Sequence, residues 1–183
     1  LSPRSITLTL KGELEPPVVS GVTVQATMIQ PSDGNRAVIS YNVRGETPLG
    51  AIDLVQFQGD NPVLRSSAQI TDADVNAVSL DEFYAYAAQS SGVQTRPAPA
   101  VLERFTVTSS KLELDGLTEA QLTSFATTSA VSTGSVVYAT SGNGGAVYAL
   151  DPNDLSVLAE YPLDGARWVA LDEANDRVVV AQG

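Results

Sequence analysis

Four short segments of this chain can be laid on one another: AVISYNV (Ala37 to Val43), FYAYAA (Phe83 to Ala88), VVYAT (Val136 to Thr140) and VVVA (Val178 to Ala181). Superposed, they place Tyr41, Tyr86, Tyr138 and Val180 at equivalent positions, 45, 52 and 42 residues apart. A repeat of this length constrains the fold more than any other feature. Each unit is too small to bury its own apolar face and must stack on its neighbours.

Each segment follows an apolar run and a polar turn: VQATMIQ then PSDGN, VNAVSL then DE, SFATTSAV then STG, and RWVAL then DEAND. Pro presets φ, and Gly, Asn and Asp tolerate positive φ, so each pair reads as a β-hairpin. In the first three units two more strands follow, GAIDLVQF with PVLRSSAQI, AVLERFTVT with SKLELDG, and AVYALD with LSVLAEYPL. Four antiparallel strands recurring every 40 to 50 residues or so are the signature of a β-propeller blade. The fold class expected is therefore all-β, a propeller of four-stranded blades with about three and a half blades present.

The expected divisions are an N-terminal strand or arm over 1–20, blades over about 21–72, 73–124 and 125–165, and a half-blade over 166–183. The arm contains the alternating run SITLTLKGE, Ser5 to Glu13. Two stretches read as insertions in the central unit. One is SSGVQTRPAPA (Ser90 to Ala100), held extended by Pro97 and Pro99; the other is LTEAQLTSFA (Leu117 to Ala126), read as one helical turn or a loop. A ring of seven or eight blades at this period needs more than about 300 residues. The expectation is thus part of a larger ring, with a four-bladed ring that borrows the N-terminal strand as the alternative. Open blade edges predict self-association.

From Ser135 to Gly183 the chain resembles the YVTN-type repeat of surface-layer-like propellers. SVVYATSGNGG, AVYALDPND, LSVLAEYPLDGARWVAL and DEANDRVVVA fill, in order, the slots of that family's "VYVAN", "V.VID", "VVATI.VG..P..VA" and "PDG..VYV" elements. PSDGNRAVISYN (Pro31 to Asn42) also fits the last of these, whereas Ala166 and Arg167 stand where the family usually has Pro. The resemblance implies an extracytoplasmic location: secreted, periplasmic or at the cell surface.

Charge narrows the partners. The 183 residues carry 21 acidic and 10 basic side chains, a net charge of -11. Such a surface repels phosphate backbones and argues against nucleic-acid binding, and it also suits adaptation to high salt. No window approaches the roughly 18 to 20 apolar residues of a membrane-spanning helix.

With no His and no Cys, the usual nucleophile–base pairs and imidazole or thiolate metal sites are absent. Asp81 with Glu82, Asp172 with Glu173, and Asp151, Asn153 and Asp154 crowd hairpin turns. Oxygen ligands of this kind suit calcium, but these residues also bond their own turn backbones, which is the reading adopted. Asp74 and Asp81 give no ground for a glycosidase pair. SGNGG (Ser141 to Gly145) lacks the Lys and following helix of a phosphate loop and reads as a strand connection. Trp168 and the Tyr repeat read as packing between blades.

No catalytic, cofactor-binding or metal-ligating residue is assigned, and no cofactor. The function expected is a non-catalytic binding scaffold for a protein or carbohydrate partner. The alternative is a propeller enzyme of the lactonase or quinoprotein dehydrogenase type, whose active site lies largely outside these blades.

Overall fold

The computed structural model describes residues 9–32, 35–93, 98–108 and 111–183, with side chains throughout except at 112–117. The chain opens with a miniature hairpin, β1 (Val18–Val19) and β2 (Val22–Thr23), turned by Ser20 and Gly21 at φ 50° and 82°. A sheet follows from β3 (Gln25–Ser32), β4 (Arg36–Asn42), β5 (Gly50–Gln58) and β6 (Asn61–Ile70). The second sheet is β7 (Ala73–Leu80), β8 (Tyr84–Ser91), β9 (Ala100–Val107) and β10 (Leu112–Gln121). The third is β11 (Ser129–Ser132), β12 (Val137–Thr140), β13 (Ala146–Leu150) and β14 (Val157–Pro162). Last come β15 (Ala166–Asp172) and β16 (Arg177–Gln182), an antiparallel pair joined by a single 3-10 turn, Glu173–Asn175.

Every sheet is an antiparallel meander in chain order, so the expected three blades and a strand pair are present. The first strands β3, β7, β11 and β15 lie side by side, as the inner strands of successive propeller blades do. No helix among the described residues is long and apolar enough to cross a membrane.

The alternation of each strand sends one set of side chains toward the preceding sheet and the other toward the following one. Val38, Ile52 and Leu54 of the first sheet meet Val75, Val78, Ala85, Ala87 and Phe105 of the second. On the second sheet's other face, Tyr86, Ala88 and Leu102 meet Val137, Ala139, Tyr148 and Leu150 of the third. The first sheet's far face packs Tyr41, Leu49 and Ala51 under Val19 of the small hairpin and Val24. Strands β5, β8 and β9 are therefore buried on both faces and read as near-continuous runs in sequence.

Three expectations change. Leu117–Gln121 form neither helix nor loop; they complete β10, with Glu119, Ala120 and Gln121 opposite Glu103, Leu102 and Val101. Ala120 and Leu122 are buried between the second and third sheets, and that packing overrides the weak helical spacing of the segment. The arm expected as a strand over Ser5 to Glu13 carries no ladder pairing from Thr9 to Glu13, and Ser5 to Leu8 fall outside the described residues. Asp33, Gly34 and Pro97, assigned to turns and extended backbone, also fall outside them.

The third change concerns the tyrosines. Pairing places Val38, Tyr86, Tyr138 and Val179 at one level, opposite Gln30, Ser79, Val131 and Ala170. Tyr41 instead lies opposite Ala26, three residues out of step, and Val180 is one residue out. Because both faces of β4 and β8 are largely buried, hydrophobic pattern alone does not fix their register.

Candidate functional site

Inner strands begin at one end of the molecule and run away from it, and that starting end carries the richest polar construction. Three of the four inner strands have a β-bulge in their first turn of pairing. The unmatched residues are Thr27 in β3, Asn76 in β7 and Arg167 in β15. Thr128, immediately before β11, takes the corresponding place. A bulge re-aims its side chain out of the alternation.

Thr27, Asn76 and Thr128 make the same kind of contact. Thr27 Oγ1 donates to the carbonyl of Val75 at 2.9 Å, Asn76 Nδ2 to that of Thr127 at 2.9 Å, and Thr128 Oγ1 to that of Ala166 at 3.2 Å. In every case the acceptor is the residue just before the bulge position of the next sheet. Thr27 Oγ1 also meets Ser40 Oγ at 2.8 Å, and Thr128 Oγ1 meets Thr140 Oγ1 at 2.9 Å, again at matching positions. Side-chain hydrogen bonds thus lace successive inner strands together where they start. In the fourth sheet the equivalent residue, Arg167, reaches Asn143 Oδ1 at 2.8 Å.

Around this lacing lie further polar groups. Asp74 accepts from the backbone N–H of Leu49 at 3.2 Å, and burial pushes its carboxyl above the ordinary value despite that bond and one from Val43. Gln89, almost wholly buried, donates to Glu103 Oε2 at 2.7 Å. Thr127 is fully buried with its Oγ1 lacking a hydrogen-bond partner. Chemically, this end offers carboxylates (Asp74, Glu103), amides (Asn76, Gln89) and hydroxyls (Thr127, Thr128). These groups suit general-base and hydrogen-bonding roles toward a small polar molecule.

The opposite end is structural. Asp81 Oδ1 accepts the N–H groups of Phe83 and Tyr84 at 2.9 and 2.8 Å, while Oδ2 accepts Tyr86 Oη at 3.0 Å and Ser132 Oγ at 2.9 Å. It therefore shapes its own turn and ties the second sheet to the third. Burial, and then the Asp81 charge, hold the Tyr86 phenol above its ordinary value.

Asp172 accepts from Asn175, Asp151 from Asn153 and Asp154 from Ser156, each within its own turn. Among the described residues no three acidic side chains gather where a metal ion could sit. Asp74, near the start of β7, and Asp81, just past its end, lie about 20 Å apart by strand rise, so they cannot act as a pair. The Ser141–Gly145 stretch is a tight connection in which Ser141 Oγ accepts the N–H of Ala146 at 3.0 Å and Gly142 and Gly144 take positive φ. Trp168 sits on the open face of the fourth sheet, 44% exposed.

One group escaped the sequence reading altogether. Arg104, in the third strand of the second sheet, is 7% exposed and donates to the carbonyls of Pro152 at 2.5 Å and Asn153 at 2.6 Å. Its guanidinium lies 4.3 Å from the centre of the Tyr84 ring. An Arg interrupting the apolar run AVLERFTV is the signal that could have marked it.

No protein-family profile matches this chain, and no curated protein does. Among solved structures it is similar to a gluconolactonase of Xanthomonas campestris, with a TM-score of 0.65 and 14% identity over 90% of this chain. The chain spans 57% of that structure's length. The likeness establishes the class, an all-β protein of propeller type. It also corrects the expectation of a non-catalytic scaffold. That expectation took its relatives from surface-layer-like proteins, whereas the structural neighbour is an enzyme.

Proposed function

We propose that this chain forms the ligand-facing blades of a propeller enzyme of the lactonase type, acting on a small cyclic ester at the starting end of the inner strands. The observation that carries the reading is the structural likeness to a gluconolactonase over 90% of the chain. The polar groups at that end supply the chemistry. Hydrolysis of a lactone needs a base to activate water and donors to hold the carbonyl oxygen as it gains charge. Asp74, with its pKa raised by burial, is the base proposed, and the donor proposed is the second N–H of the Asn76 amide, whose first is held by the carbonyl of Thr127.

The resemblance of Ser135 to Gly183 to YVTN-type repeats supports an extracytoplasmic location, and the acidic surface supports function in high salt. Both belong to the proposal.

The test is proton release from glucono-δ-lactone and a panel of smaller and larger lactones, corrected for spontaneous hydrolysis. Turnover by the wild-type chain and a loss of about 100-fold or more in Asp74→Asn, with melting temperature held, support the reading. No turnover of any lactone, or an Asp74→Asn protein as active as wild type, overturns it.

A further inference from the structure

We propose that the turn joining β7 to β8 carries a carbohydrate-binding cleft, at the end of the strands opposite the candidate catalytic groups, which takes the pyranose rings of an oligosaccharide. The cleft, about 360 Å³, is lined by Glu82, Phe83 and Tyr84 of the second sheet and by Gly134, Pro152 and Asn153 of the third. Both sheets have all four strands, so complete blades form its two sides. Its volume is that of a small-molecule site.

Phe83 is the residue that points to a ligand. It is 58% exposed at the tip of a hairpin, where Gly, Pro, Asn, Asp and Ser are the usual residues. The corresponding turns of the other sheets read SDGN, STGS and DEAND, without an aromatic residue, so the blade repeat does not require one. Nor does the exposure come from a loose turn. Both main-chain groups of Phe83 are bonded: its N–H donates to Asp81 Oδ1 at 2.9 Å, and its carbonyl accepts the N–H of Val107 at 2.7 Å. Its ring lies 6.5 Å from that of Tyr84, centroid to centroid, with 66° between the planes, and the Arg104 guanidinium backs Tyr84. An apolar ring held in water at a fixed orientation is preorganised to stack on the C–H face of a sugar, which removes that apolar surface from water.

The rest of the lining suits hydroxyl groups. Asp81 has no capacity left, because its two oxygens already accept four hydrogen bonds. The Glu82 side chain has no partner among the described residues, so both its oxygens are open to a ligand. Asn153 gives one amide N–H to Asp151 Oδ1 at 2.8 Å and keeps the other, with its side-chain oxygen, for a ligand. Acceptors on one wall, a donor and an acceptor on the other, and an apolar ring beside them match a pyranose, which carries hydroxyls around its rim and C–H groups on its faces. A second cleft, about 450 Å³, lies on the other side of the same turn, lined by Ser32 and Arg36 of the first sheet and again by Asp81 and Glu82. Two clefts that share a wall suit a chain of sugars longer than one ring.

The experiment titrates the 183-residue chain with the methyl glycosides of glucose, galactose and mannose and with a trisaccharide of each, read by saturation-transfer NMR. Expected is binding of at least one trisaccharide, tighter than that of its methyl glycoside. Phe83→Ala should weaken it about tenfold or more, and Glu82→Ala and Asn153→Ala about fivefold each, at unchanged melting temperature. Asp74→Asn, altered at the other end of the strands, should bind as wild type does. Choline and butylguanidinium probe the same ring and carboxylate for a preference for cations. No binding of any sugar, binding that survives Phe83→Ala, binding that Asp74→Asn loses, or cations bound more tightly than every sugar would each overturn the proposal.

Discussion

Replacing Arg104 by Met removes a clamp between the second and third sheets while keeping a side chain of comparable length. Hydrogen bonds from a charged donor disappear, among them those to the carbonyls of Pro152 and Asn153 and a longer one to Thr118 Oγ1 at 3.4 Å. Bonds to charged groups contribute about 1.5 to 3 kcal/mol each. Asn153 is exposed, so water reaches its carbonyl and recovers part of that loss. The ring contact with Tyr84 adds about 1 kcal/mol at a site this buried. The sum predicts destabilisation of about 3 kcal/mol. With a urea slope of about 2 kcal/mol per molar, the denaturation midpoint falls by about 1.5 M at unchanged slope. Arg104→Lys keeps the charge but loses the planar fork that reaches two carbonyls together, and lands between the two. A Met variant within 1 kcal/mol or so of wild type, or a Lys variant indistinguishable from wild type, refutes the clamp.

Other perturbations read other parts of the structure. Thr127→Val removes a buried hydroxyl that bonds nothing in the protein, so the variant is expected to match wild type or gain up to about 1 kcal/mol in thermal melts; a loss larger than that would show the hydroxyl to be engaged. Asp53 is 3% exposed, and desolvation raises its pKa above the ordinary 3.8 despite bonds from Ser67 and Tyr41. Its native form therefore prefers the proton, a preference that stabilises fully below the unfolded value and is lost as pH rises through the folded one. Asp53→Asn should accordingly gain on wild type between pH 4 and pH 7 in paired denaturation curves, and parallel curves would remove the argument. The net charge of -11 predicts a melting temperature that climbs with added salt as self-repulsion is screened, most steeply below roughly 0.1 M; indifference to salt would show that the acidic groups are too dispersed to matter.

The fold was legible because a blade repeats its turn chemistry as well as its apolar runs. STG before VVYAT and DEAND before VVVA each mark a reversal between two strands, and the structure has one at both, with Gly134 and Asp176 at positive φ. What misled was the search for a recurring side chain. Tyr41 looks equivalent to Tyr86 until pairing is known: Tyr41 lies opposite Ala26, before the bulge of its sheet, whereas Tyr86 lies opposite Ser79, well after the corresponding bulge. LTEAQLTSFA misled in the opposite sense, because local spacing suggested helix while Ala120 and Leu122 answer to neighbouring sheets.

The candidate site was illegible for a related reason. Its recurring element is a hydrogen bond from a bulged side chain to a main-chain carbonyl one sheet further on. Two threonine hydroxyls, of Thr27 and Thr128, and the amide of Asn76 make it to Val75, Thr127 and Ala166, whose side chains play no part. A sequence comparison sees donors of two kinds at unequal spacings and three unlike acceptors. Only the position relative to the bulge is shared, and that position is what aims polar groups at the starting end of the strands. Deletion of Asn76 leaves Val75 opposite Gln89 and Ala77 opposite Ala88, so it should make the β7–β8 ladder regular, keep every later residue on its face, and cost in denaturation curves about the 1 kcal/mol of the lost bond to Thr127; loss of the fold would refute this reading. Asn76→Ser, which keeps a donor at the bulge, should retain most of the stability.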